Sequence, residues 1–141
     1  MAAPPFACTL ITPAARVFDE DAIEVVLPLH DGSAGVLPNR APFVAELGVG
    51  EFRVTFAAGG SRAFYVDSGF AQMTGERLTL LAESATPAEE LSLSEAEAEL
   101  AEAMARKPQN AEDMEQVNRS RTRARAKVSI ARRFRQAGSG I

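Results

Sequence analysis

A chain of 141 residues holds one ordinary domain or two small ones, which excludes a large multidomain enzyme. Its composition, 46% hydrophobic and 24% charged with 10 Gly and 8 Pro, is that of a globular protein rather than a disordered, collagen-like or coiled-coil chain. The net charge of −4 is the small remainder of 15 cations and 19 anions, so their positions along the chain carry more information than their sum.

The first residues, MAAPPFACTLITPAARVFDED, lack a basic n-region, and no apolar run approaches the roughly 20 residues of a membrane span. Neither a signal peptide nor an anchor is expected, and a reducing cytoplasm fits best. The single Cys8 cannot form an internal disulfide, and the single His30 leaves no Cys/His cluster for zinc, so no metal and no cofactor are expected. Cys8 lies in an apolar, strand-like run with nothing nearby to lower its pKa, which marks it as a core thiol.

In chain order, the strand candidates are Phe6 to Ile11, Ala22 to Leu29, Phe43 to Leu47, Glu51 to Phe56, Arg62 to Val66, Gly69 to Met73 and Arg77 to Ala82. The clearest is Glu51 to Phe56, where Phe52, Val54 and Phe56 alternate with Glu51, Arg53 and Thr55 and so share one sheet face. After Ala58-Gly59-Gly60-Ser61 the next run again turns Phe64 and Val66 to one side, which predicts a hairpin. Short strands at this spacing imply a sandwich or barrel. Gly32-Ser33-Ala34-Gly35 lacks the lysine and helix of a phosphate loop and is expected as a turn between strands. The acidic run Asp19, Glu20, Asp21 is expected to be solvated, and His30 to be a turn residue rather than a base.

Near Pro87 the period changes, which predicts a β domain over residues 1 to 87 and a helical domain over 88 to 141. Ser92 and Ser94 each precede a glutamate by three residues (Glu95, Glu97), the capping-box pattern of a helix start. A first helix is expected over about 92 to 106, with a narrow stripe of Leu93, Ala96, Leu100 and Ala103. Pro108 breaks it, and Asn110 can cap a second helix over about 111 to 137, with Met114, Val117, Ala124, Val128 and Ala131 on one face. Arg121 interrupts that face. The two form an antiparallel hairpin, with a frayed end at Gly138-Ser139-Gly140-Ile141.

The charges segregate along this hairpin. Residues 88 to 105 hold six glutamates and no cation, whereas residues 116 to 141 hold eight cations and no acid. Folded back, the helices neutralise each other. Exposed ion pairs contribute only about 0.2 to 1 kcal/mol each, however, and alanine stripes bury little apolar area, so the docking is expected to be marginal and able to open.

No catalytic motif is present: no G-x-S-x-G, HExxH or CxxC, and no Walker lysine. A stand-alone enzyme is not expected. The alternative class is a nucleic-acid-binding module tracking phosphates with Arg119, Arg121, Arg123 and Arg125. The acidic remainder, the absence of Trp and the single Tyr argue against nucleic acid as a partner.

Three segments, GSAGVLPNRAPFVAELGVGEFRV (Gly32 to Val54), YVDSGFAQM (Tyr65 to Met73) and RLTLLAESATP (Arg77 to Pro87), resemble the epsilon subunit of F-type ATP synthase. The resemblance covers nearly the whole chain, and the order of β domain and helical hairpin agrees with it independently. It implies a β-sandwich of about ten strands followed by a two-helix hairpin, in a subunit that catalyses nothing itself. It also implies a rotor subunit of the central stalk, coupling c-ring rotation in a proton-translocating synthase to the catalytic head through the gamma subunit. The complex would sit peripherally on the cytoplasmic face of the inner membrane.

By the same resemblance, the loop of Gly32, Ser33, Ala34, Gly35 and Arg40 approaches the c ring. Ser33 stands where relatives often carry an acid and Arg40 where they often carry histidine, although the Gly and Pro framework is kept. Gly32 and Gly35 would permit positive φ there, with Pro38 and Pro42 stiffening the turn. The second helix would contact the beta subunits of the alpha/beta head through Arg119, Arg121, Arg123, Arg125, Lys127, Arg132 and Arg133, and so inhibit ATP hydrolysis. Some relatives bind ATP on the folded hairpin through an I/L-D-x-x-R-A motif. Here Ser94 replaces the acid and Glu97 the arginine, which implies weak or no ATP binding.

Overall fold

The computed structural model describes residues 4–30, 32–36 and 41–139. Two compact units result, Met1–Thr86 and Pro87–Ile141.

The first unit is built from six strands among the described residues: β1 (Phe6–Ile11), β2 (Arg16–Leu29), β3 (Gly32–Val36), β4 (Phe43–Phe56), β5 (Ser61–Thr74) and β6 (Arg77–Pro87). They follow the order β1-β6-β5-β4-β2-β3, and β1 also pairs with β2, so five strands close into a barrel and β3 is added to β2. Closure comes from β1, which lies antiparallel to the first half of β2 (Phe6 opposite Ala22) and parallel to β6 (Cys8 opposite Leu78). Beyond Ala22 the edge of β2 that β1 has left is taken by β3, with Val25 opposite Val36 and Leu29 opposite Gly32.

This corrects the expectation of about ten strands. The segments Phe43 to Leu47 and Glu51 to Phe56 are one strand, β4, and Arg62 to Val66 and Gly69 to Met73 are one strand, β5. The two stay in register from Phe43 opposite Met73 to Thr55 opposite Ser61. Alternation nevertheless changes phase along both. In β4 the buried set passes from Leu47 to Phe52, Val54 and Phe56, and in β5 from Phe64 and Val66 to Ala71 and Met73. A change of phase in a period-2 pattern looks like a strand end in one dimension, whereas in the sheet it is a local irregularity of one continuous ladder. In β5 it coincides with Ser68 (φ 60°) and Gly69 (φ 125°). In β2 a register shift between Ala22 and Glu24 moves the inward set from Phe18 and Ala22 to Val25 and Leu27.

Gly32–Val36 is likewise corrected, from a turn to a strand. Gly35 has no positive φ and open space around its Cβ position, so a left-handed backbone is not what glycine supplies there. Positive φ falls instead in the turns at Gly59, Gly60 and Gly75 and at the bend at Gly69. The barrel core is Phe6, Cys8 and Leu10 from β1, Leu78 and Leu80 from β6, and a ring cluster from β2, β4 and β5. Within that cluster Phe18 stacks on Phe52 and Phe64 at 6.1 and 5.7 Å and meets Phe56 edge-on at 5.6 Å.

The second unit begins with a 3-10 turn, Ala88–Glu90, followed by α1 (Leu93–Ala105) and α2 (Ala111–Ser139). The α2 helix runs to Ser139, while Gly140 and Ile141 lie outside the described residues. Ser92 is the N-cap of α1, its Oγ accepting the Glu95 N–H at 3.2 Å. At the start of α2, Asn110 Oδ1 accepts the Asp113 N–H at 2.8 Å and Asp113 accepts the Gln109 N–H at 3.0 Å. Orphan amides are therefore satisfied reciprocally around the Pro108 break.

Candidate functional site

The charged hairpin and the β3 edge are the two places to which the sequence assigns roles. Ala96 and Ala103 of α1 and Val117, Ala124, Val128 and Ala131 of α2 are buried, whereas Leu93 and Leu100 are half-buried. Met114, expected on the buried face, is 45% exposed, and Ile130 is buried off that stripe. Small side chains along α1 let the helices approach closely but remove little apolar surface from water.

Direct ion pairs join the two helices. Lys127 Nζ lies 3.2 Å from Glu99, Arg132 lies 3.8 Å from Glu97, and Arg106 lies 3.8 Å from Asp113. Most of these side chains are well exposed, which keeps each pair in the weak, screened class. Arg119 and Arg125 are exposed, and Arg123 is half-buried on the same helix. Arg125, Arg132, Arg133, Ser129 and Leu100 line a groove of about 420 Å³ on the hairpin.

Arg121 behaves differently from its neighbours. Rather than breaking the stripe, it reaches across to the C-terminal end of α1, where its Nε donates to Ala103 O at 3.0 Å and its Nη2 to Met104 O at 3.4 Å and Arg106 O at 3.0 Å. These are carbonyls that a helix leaves without intrahelical partners, and a cation there also suits the helix dipole. Along α2 alone, Arg121 only interrupts the apolar face. The signal that could have found its role is an arginine on the buried face at the level where the preceding helix ends before Pro108.

The degenerate motif positions lie at the start of α1. Ser94 Oγ sits 3.1 Å from Ser92 Oγ, and Glu97 faces Arg132. At the other place, Gly32, Ser33, Ala34 and Gly35 pair along β2 from Leu29 to Val26, and Gly35 is exposed. Arg40 and Pro38 lie outside the described residues.

The described residues hold no group of three or more His, Cys, Asp or Glu able to bind a metal. Cys8 is buried, and desolvation, with the Asp19 charge adding to it, pushes its thiol from 9.0 up to about 12. A neutral thiol sealed in a barrel has no access to a substrate. No described helix is long and apolar enough to cross a membrane.

Among the described residues, a small closed β-barrel is followed by an amphipathic, charge-segregated two-helix hairpin, the layout of an assembly subunit. The chain belongs to the ATP synthase delta/epsilon chain family, whose β-sandwich domain model matches residues 5–88. It is 34% identical over 131 residues to the sodium ion specific ATP synthase epsilon chain of Propionigenium modestum, covering 92% of this chain and 95% of that one. It is 38% identical over 97 residues to the ATP synthase epsilon chain of Rhodopirellula baltica, covering 69% and 75%. The fold matches a chain in the cryo-EM structure of Euglena gracilis mitochondrial ATP synthase (OSCP/F1/c-ring), with a TM-score of 0.73 at 20% identity, covering 97% of this chain and 83% of that one. A chain in the central stalk/c-ring structure of the Tetrahymena thermophila enzyme gives 0.71 at 11% identity, covering 93% and 99%. The chain is therefore a non-catalytic subunit.

Proposed function

We propose that the chain is the epsilon subunit of the central stalk of a bacterial F-type ATP synthase, turning with the gamma subunit and the c ring. Its place would be the cytoplasmic face of the inner membrane, bound only through the complex. The family match and the assemblies in which the structural relatives sit support this reading. The outer face of the barrel supports it further: Val44 and Phe70, diagonal neighbours on paired β4 and β5, are 71% and 56% exposed. Apolar side chains held out on a rigid sheet suit coverage by a partner, here the gamma subunit. The β3 strand, with Gly32, Ser33, Ala34 and Gly35 and the following Arg40, would meet the c ring.

The hairpin is the regulatory part. The observation that carries this is the one-sided charge of α2, held to α1 in part by screened ion pairs. Released, Arg119, Arg121, Arg123, Arg125, Lys127, Arg132 and Arg133 would exchange their contacts to α1, glutamates for Lys127 and Arg132 and carbonyls for Arg121, for acidic segments of the beta subunits and block rotation in the hydrolytic direction. Truncation after Lys107 is then expected to raise ATP hydrolysis by the assembled enzyme, and unchanged hydrolysis would count against the reading. Tagged protein is expected to copurify with gamma, alpha and beta subunits.

ATP binding to the hairpin is proposed to be weak or absent, because Glu97 puts a carboxylate where a phosphate would need a cation. Micromolar affinity by calorimetry on the isolated chain would reverse that assignment.

A further inference from the structure

We infer that Arg121 is the latch of the hairpin, and that its hold on α1 is distinct in kind from the ion pairs that surround it. Its guanidinium spans three carbonyl oxygens, of Ala103, Met104 and Arg106, at 3.0 to 3.4 Å; the side chain is half-buried, with the bond to Ala103 part-buried and the bonds to Met104 and Arg106 exposed. Lys127 and Arg132 instead reach carboxylates on exposed side chains. Salt weakens the second kind of contact strongly, because it joins two full charges of which the carboxylate is exposed in high dielectric. It weakens the first much less, because the acceptors are neutral and the bonds are directional.

Opening the hairpin therefore has one obligatory step, the release of the last carbonyls of α1 to water. The same bonds couple closure to the folding of α1. A helix of 13 residues is marginal on its own, and its C-terminal end gains its hydrogen-bond donors from α2. A surface that captures α2 in the open state must offer Arg121 acceptors of equivalent chemistry, either the exposed carbonyls at a helix C-terminus or a carboxylate. This latch would operate in the isolated chain, whatever the hairpin's partner in an assembly.

The test is hydrogen exchange by mass spectrometry on the full-length chain at about 0.05 M and 1 M NaCl, the two ionic strengths that separate screened from unscreened contacts. Arg121→Gln is expected to speed exchange of α1 amides roughly tenfold at both salt concentrations, with peptides of the barrel unchanged. Lys127→Gln is expected to speed it about two- to fourfold at low salt and to have little effect at 1 M. Arg121→Lys keeps the charge but cannot fork to three carbonyls, so it is expected to exchange at an intermediate rate. Wild-type rates in Arg121→Lys, or an Arg121→Gln effect that vanishes at 1 M NaCl, would reduce Arg121 to one more screened charge and overturn the proposal.

Discussion

At the level of single residues, the tightest constraint sits in the middle of β5. Gly69 combines φ 125° with a backbone neighbour: a Cβ there would collide with the Leu81 carbonyl oxygen and lie 2.9 Å from the Ala82 Cα. Neither group is a flexible side chain that could give way. Gly69→Ala is expected to destabilise the barrel by about 2 to 4 kcal/mol, read as a lowered urea midpoint. Gly35 has no such neighbours and no such φ, so substitution there should leave stability nearly unchanged. Cys8 supplies a second residue-level expectation. Its folded pKa of about 12 lies above the starting value of 9.0, so between those values the unfolded chain has lost a proton that the folded chain keeps. Its contribution to stability is full below pH 9 and declines, by about 1.4 kcal/mol per pH unit, as the pH rises towards 12. Urea unfolding of wild type and Cys8→Ala between pH 8 and 11 checks this, and equal alkaline slopes would exonerate the thiol. That Cys8 is core was legible from its apolar run. That glycine is indispensable at Gly69 was not, because the obstacle is a backbone oxygen of another strand.

Among the elements, the strands show why alternation alone miscounts. The pattern found the inward sets Phe52, Val54, Phe56 and Phe64, Val66 correctly, yet split β4 and β5, because an irregularity that reverses phase is indistinguishable from a loop until pairing is known. The Gly32–Val36 segment was missed as a strand for the opposite reason. Its GSAGV composition has no β-branched or aromatic alternation before Val36, and β2 supplies the pairing that makes it extended. The helices were more legible, since caps are local chemistry. Ser92 and Asn110 both accept the amide hydrogen bonds that their positions predicted. Asn110→Ala removes the bond to the Asp113 amide and is expected to cost about 1 kcal/mol, seen as faster amide exchange in the first turn of α2 with α1's N-terminus unaffected. The role of Arg121 was illegible because a one-helix pattern has no place for the end of a neighbouring helix.

For the whole molecule, the net charge of −4 conceals an acidic helix laid against a basic one. Raising salt shortens the Debye length from about 10 Å at 0.1 M to about 3 Å at 1 M, which weakens the Glu99–Lys127 and Glu97–Arg132 pairs but leaves apolar burial intact. The helical unit is therefore expected to loosen with salt while the barrel does not. NMR shifts that track salt only in residues 88–139 would bear this out, and shifts indifferent to salt throughout would contradict it. Sequence alone determined that a β domain precedes a helical hairpin, where the caps and the Pro108 break lie, and how charge divides between the helices, since period, capping and charge are local or additive along a chain. Tertiary structure decided that five long strands close on themselves with β1 parallel to β6, that Gly32–Val36 is an edge strand, and that Arg121 holds α1. Each of these depends on which distant backbone groups become neighbours, a fact that no window along the sequence contains.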